Sequence, residues 1–134
     1  MVGSVALSVT ILASGSIFAS RPLAGSGEEV REIFSKELPN VPGKALTAVQ
    51  VDYAPGGASK PHHHSGVVFA YVVSGEIRSQ VDNAPPRVYR AGETFFEDLG
   101  AHHLISENAS TSEPARLLAV FAADQGAVLT TDDR

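Results

Sequence analysis

Short runs of β-forming residues, separated by glycine, proline and polar clusters, follow one another along most of this chain. Residues 46–53 alternate with a period of two, which is typical of a strand with one buried face, and residues 67–73 are continuously apolar, as in a strand covered on both faces. Further strands are predicted at residues 76–81, 87–89, 94–97, 103–106 and 116–122. Because turn signals recur and no long amphipathic helix is present, the chain is predicted to be an all-β sandwich or barrel.

The composition is that of one folded domain. The chain has 134 residues, of which 43% are hydrophobic and 19% are charged, so it can bury a core. Its net charge is −5 and it has no basic run, so we expect neither nucleic acid nor a membrane surface as a partner. It has no cysteine, which excludes disulfides, thiolate metal sites and cysteine nucleophiles. Any metal must therefore be bound through nitrogen and oxygen.

The first 20 residues are uncharged and consist of apolar and small side chains. They are too short and too interrupted for a membrane span, and they resemble a secretory signal with a cleavage site near residues 18–20. No basic residue precedes Arg21, so an N-terminal strand or an arm packed on a partner is the alternative. The predicted location is secreted or periplasmic if the segment is a signal, and cytoplasmic otherwise. A short helical turn is predicted around residues 28–34.

All five histidines lie in two clusters, His62-His63-His64 and His102-His103. Residues two apart on a strand point to the same face, so His62 and His64 are predicted to project together and His63 to the other face. The strand after the second cluster can place one more imidazole opposite the first pair. Three neutral imidazoles suit zinc, iron, nickel or copper better than magnesium or calcium. The alternative is a solvated histidine-rich loop without a metal.

Both clusters lie within motifs of a known family. Residues 56–76 resemble the first cupin motif, G-x5-H-x-H-x3,4-E-x6-G, with the glycines, His62 and His64 in register. Residues 92–108 resemble the second, G-x5-P-x-G-x2-H-x3-N, and its spacing selects His103 over His102. Asp98 stands in place of the proline, and Asn108 lies one residue later than the motif asparagine.

This resemblance implies a single-domain cupin, which is a jelly-roll β-barrel that is often a homodimer and holds a divalent metal inside. The barrel is expected over residues 46–123, between an N-terminal extension, residues 21–45, and a C-terminal tail, residues 124–134. The implied metal ligands are His62, His64 and His103, with iron, zinc, nickel or manganese as the candidate metals. Val68 stands where the family usually has glutamate, so coordination positions should remain open, as in catalytic sites.

Glu97 is the candidate residue that could supply the carboxylate missing at Val68. It lies six residues before His103, where some three-histidine cupins, similar to diketone-cleaving dioxygenases, carry a glutamate. An inward Glu97 could be a fourth ligand, a group that fixes an imidazole, or a general base. The alternative is a solvated carboxylate paired with Arg87 or Arg90.

The chain has neither a G-x-S-x-G nucleophile motif nor a glycine-rich phosphate loop, so the metal site is its strongest chemical signal. The predicted function is a metal-dependent enzyme that acts on a small oxygenated organic substrate, with oxidation by a dioxygenase as the preferred reaction. Non-redox isomerisation, cyclisation, dehydration or decarboxylation is the first alternative. A cupin that binds a small ligand without catalysis is the second.

Overall fold

The computed structural model describes residues 21–23 and 26–134, and these form eleven β-strands and no helix. In chain order the strands are β1 (Arg21–Leu23), β2 (Glu28–Glu37), β3 (Lys44–Tyr53), β4 (His62–His64), β5 (Val67–Ser74), β6 (Glu76–Val81), β7 (Arg87–Arg90), β8 (Thr94–Glu97), β9 (His102–Asn108), β10 (Ala115–Asp124) and β11 (Thr130–Asp132). Over this described part of the chain, no helix has the length and apolarity that crossing a membrane requires. The signal-like segment, residues 1–20, lies outside the described residues, so export stays a prediction.

The strands form two sheets in which all paired neighbours run antiparallel. One sheet has six strands in the order β1-β2-β3-β10-β5-β8, and the other has five in the order β11-β4-β9-β6-β7. The predicted all-β jelly-roll fold is confirmed, with the described strands arranged as two sheets rather than one continuous barrel ladder.

Gly75 carries the chain from one sheet to the other, between β5 and β6. Its φ is +73°, a conformation that side-chain-bearing residues rarely adopt, and a Cβ atom there would lie 2.6 Å from the carbonyl oxygen of Pro114. Glycine therefore allows the sharp corner that places β6 in the five-stranded sheet.

The predicted helical turn around residues 28–34 is wrong, because these residues belong to β2. This strand pairs with β3 from Glu28 opposite Tyr53 to Glu37 opposite Ala45, with a bulge between Glu32 and Phe34. Most of its side chains are exposed, so no apolar periodicity marks it as a strand, and the hydrogen-bonding edge of β3 decides its conformation. The two sheets also include strands outside residues 46–123, because β2 precedes this range in the chain and β11 follows it.

The core lies between the two sheets. Alternate residues of β3 and β10 turn inward, and Ile77 of the five-stranded sheet joins the same apolar cluster. The largest fully buried side chains are Tyr53, Ile77, Val68 and Val72. The interior is not filled completely, because a cavity of about 1050 Å³ opens beside this cluster. The inward faces of β4 and β9 form part of its wall.

Candidate metal centre

Three imidazoles from two neighbouring strands meet at the wall of this cavity. His62 and His64 lie two residues apart on β4, so the pleat points both inward, and β9 places His103 directly opposite His62. The three residues are 8%, 9% and 3% exposed, and one nitrogen from each lies within 4.8 Å of the other two. The histidines that the sequence singled out therefore share one buried cluster.

Backbone carbonyls orient two of these rings. His62 Nδ1 lies 2.6 Å from the carbonyl oxygen of Lys60, and His64 Nδ1 lies 3.1 Å from both the carbonyl oxygen of Leu129 and Oγ1 of Thr130. A carbonyl oxygen can only accept a hydrogen bond, so each neutral ring carries its proton on Nδ1 and a lone pair on Nε2. That tautomer, with its far nitrogen fixed by a carbonyl, is the one that suits a metal ligand.

The protonation of His64 fits the same role. Burial is the largest effect and lowers the pKa of this imidazole to about 4, although the charge of Glu97 and the hydrogen bond to the Leu129 carbonyl raise it. At pH 7 the ring is therefore neutral, and its lone pair is free to bind a cation.

Glu97 adds one carboxylate to the cluster. Its Oε1 lies 3.1 Å from His103 Nδ1 and its Oε2 lies 3.6 Å from His64 Nε2, and the residue is 3% exposed. The alternative of a solvated carboxylate paired with Arg87 or Arg90 is wrong, because both arginines pair with other glutamates at the surface.

The register of β5 and β8 explains how the chain carries a carboxylate here without one at position 68. Val68 and Glu97 are direct cross-strand partners, so their side chains lie on the same face of the sheet at the same level. Val68 itself is buried in the apolar core cluster. The carboxylate thus reaches the imidazoles from the neighbouring strand.

The Glu97 carboxylate also provides a test of whether these residues fit a metal. Among the described residues, its Oε2 is the only buried side-chain nitrogen or oxygen without a hydrogen-bond partner. Burial raises the pKa of this carboxyl, but the hydrogen bond from His103 and the electrostatic interactions with the imidazole rings outweigh it, so the net direction of the pKa shift is downward and Glu97 is ionised. An ionised oxygen buried without a partner is costly, and a cation would offset that cost. Three imidazoles and one carboxylate therefore fit iron, zinc, nickel or manganese.

Ser79 is a contact of this site that sequence reasoning missed. Its Oγ lies 2.7 Å from His103 Nε2, so both ring nitrogens of His103 are engaged, and coordination by this ring requires that one of these bonds be given up. Strand alternation on β6 is the signal that could have found it, because Ser79 occupies an inward position beside the buried Ile77.

A hydroxyl network lines another part of the cavity. Tyr53 Oη lies 2.6 Å from Ser59 Oγ and 2.8 Å from Ser106 Oγ, and the Ser59 hydroxyl donates to Glu28 at 2.5 Å. Burial raises the pKa of Tyr53, so its phenol stays protonated. These groups, which sequence reasoning also missed, can offer hydrogen bonds to a polar molecule inside the cavity.

The fold and the site together define a small jelly-roll domain with a histidine-lined cavity between its sheets. The family model for the cupin domain matches residues 49–121, which is more than half of the chain. The chain therefore belongs to the cupin family.

Known proteins similar to this chain include plant and bacterial members of that fold. Germin-like protein 5-1 of Oryza sativa subsp. japonica is 34% identical over 106 residues, which are 73% of this chain and 45% of that protein. Oxalate oxidase GF-2.8 of Triticum aestivum is 30% identical over 111 residues, which are 77% of this chain and 49% of that protein. A deletion mutant of Bacillus subtilis oxalate decarboxylase OxdC matches with a TM-score of 0.67 and 25% identity, over 87% of this chain and 30% of that one. The chain thus spans about half the length of the curated relatives it matches.

Proposed function

We propose that this chain is a metal-dependent cupin enzyme that oxidises a small oxygenated organic substrate. His62, His64 and His103 would hold a divalent transition metal, with Glu97 as the fourth ligand or as the base beside it. The observation that carries the proposal is the unpartnered, buried Oε2 of Glu97 beside three clustered imidazoles. The similarity to oxalate oxidases supports an oxidative reaction class.

A bound transition cation would supply Lewis acidity toward substrate oxygens and, if redox-active, a path for electrons to dioxygen. The chain's own groups would orient and deprotonate the substrate. The ionised Glu97 Oε2 is free to accept a proton from an acidic C–H or O–H group, and His103 at 3.1 Å holds the other carboxylate oxygen in place. The apolar walls, including Val49, Leu117 and Phe121, would exclude water around the reacting atoms.

The charges around the cavity narrow the substrate class. Its lining includes the carboxylates of Glu28, Glu32, Glu97 and Asp132, and Lys60 is the only basic Lys or Arg side chain among the described lining residues. A divalent cation at the imidazoles would offset much of this negative charge without reversing it, so the lining favours a neutral molecule with carbonyl or hydroxyl groups, such as a 1,3-diketone or a phenol, over a small dicarboxylate.

Two measurements on protein purified without a histidine tag test this function. Metal analysis should find a retained transition metal, and oxygen uptake should rise with a member of a 1,3-diketone and phenol panel above the rate with oxalate. Turnover without oxygen uptake would redirect the proposal to non-redox chemistry. Retained metal with no turnover on any substrate would favour a ligand-binding cupin.

We also propose that the protein is a homodimer. Phe69, Tyr71 and Phe96 are exposed on the outer face of β5 and β8, where Phe69 and Phe96 are cross-strand partners, and monomeric proteins rarely expose such a continuous apolar patch. Light scattering should give the mass of a dimer for the wild type and of a monomer for Phe96→Asp. Leu99→Asp, at an exposed position on the loop after β8, is the control that should remain dimeric. A monomeric wild type would refute the proposal.

A further inference from the structure

We propose that the outer face of the β4–β9 pair carries a second site for a divalent transition cation, formed by His63, His102 and Asp133. This site is separate from the inner cluster, since none of its three residues lines the cavity. One potential ligand atom from each of the three lies within 4.8 Å of the others.

The pleat of two paired strands creates this outer cluster. His62 faces His103 on the inner side, and the next pair in the ladder, His63 with His102, faces outward. The centroids of the two outer rings are 5.3 Å apart. The adjacent histidines on each strand therefore present one imidazole pair to each face of the same sheet.

Asp133, the residue after β11, supplies the third group. Its backbone N–H donates to the carbonyl oxygen of Pro61 at 2.9 Å, which ties the chain next to β4. One carboxylate oxygen lies 2.7 Å from His63 Nδ1, and the other lies 2.8 Å from His102 Nδ1. A single carboxylate thus bridges both imidazoles, and its side chain is only 19% exposed.

The donor set determines the class of ion. Two imidazole nitrogens and one carboxylate suit zinc, copper or nickel, and they suit the oxygen-preferring magnesium and calcium poorly. A cation would take the place of the two Nδ1 protons, and each neutral ring would then carry its proton on Nε2. The side chains of His63 and His102 are 39% and 53% exposed, so water can complete the coordination.

An ion at this position would also strengthen the support of the inner cluster. The segment that ends at Asp133 provides the Leu129 carbonyl and the Thr130 hydroxyl that contact His64 Nδ1. Because β11 pairs with β4, an ion that holds Asp133 to His63 and His102 also restrains this segment against His64.

The proposal is tested by titrating metal-free, untagged protein with Zn²⁺ and measuring the binding by isothermal titration calorimetry. The wild type should bind about two equivalents, one at each site. Two double variants should each bind one equivalent of Zn²⁺ fewer than the wild type. The outer-face variant carries His63→Gln and His102→Gln, and the inner-face variant carries His62→Gln and His64→Gln. Asp133→Asn, which keeps all five histidines, should weaken only the outer binding, roughly tenfold or more.

The outcomes separate this site from the proposed active site. A single equivalent in the wild type that is lost only in the inner-face variant would overturn the outer site and leave the proposed function standing. A single equivalent that is lost only in the outer-face variant would support the outer site and contradict the inner one. If circular dichroism shows that a double variant does not fold, the Asp133→Asn variant tests the outer site instead. Zinc binding by Asp133→Asn that equals the wild type would refute the outer site.

Discussion

The His103→Ala variant should bind about one Zn²⁺ fewer than the wild type and should unfold at a lower temperature. The substitution removes one imidazole of the inner cluster and leaves Glu97 Oε1 and Ser79 Oγ without their partner. Each polar group left unsatisfied in the interior costs about 1–3 kcal/mol. In addition, metal bound only by the folded state stabilises it by about 4 kcal/mol when its free concentration is 1,000 times the dissociation constant.

Zinc titration measures the loss of binding, and thermal unfolding with and without a chelator measures the loss of stability. Chelation should lower the melting temperature of the wild type much more than that of His103→Ala. The matched control is Leu104→Ala, which changes the exposed neighbour of His103 on β9, outside both histidine clusters, and should keep both zinc equivalents. An unchanged zinc stoichiometry in His103→Ala would refute its assignment as a ligand.

Glu97→Gln should reduce turnover by about 10²- to 10⁴-fold, the usual contribution of a general base, while the protein still retains metal. The amide has nearly the shape of the carboxylate and can still accept a hydrogen bond from His103, but it carries no charge and cannot take a proton at neutral pH. The loss should therefore appear in kcat more than in metal content.

Steady-state kinetics and metal analysis of the same preparation separate these effects. Glu93→Gln is the control, because Glu93 precedes β8, lies at the surface and pairs with Arg87. Its turnover should match that of the wild type. If Glu97→Gln retains wild-type turnover, Glu97 takes no part in the reaction, and if it loses its metal, Glu97 acts as a ligand rather than only as a base.

The residues that converge at the inner cluster were recognisable from sequence because each depends on a local rule. The spacing of His62 and His64 places both on one face of any strand, and the motif spacing selects His103 from its pair. The side on which Glu97 lies could not be decided in this way. Its inward position follows from the pairing of β8 with β5, where Val68 is its partner, and from the burial that this pairing produces.

Other parts of the site come from segments that gave no local signal. The exposed, charged sequence of β2 predicted a helical turn, and only the open edge of β3 makes it a strand. The contacts that orient His64 come from Leu129 and Thr130, and those of the outer histidines come from Asp133, all in a stretch expected to be a tail. Ser79 likewise touches His103 only because β6 and β9 are neighbours.

The amino-acid sequence alone determined the all-β class, most of the strands, the absence of thiol chemistry and the histidines that could converge. Side-chain alternation, turn preference and composition are properties of a residue and its few nearest neighbours, so they can be recognised without a fold. The tertiary structure decided that Glu97 enters the cluster, that β11 supports His64, and that a second histidine pair meets Asp133 outside. Those contacts depend on the register between strands far apart in the chain, which is set only when the two sheets bury their shared core.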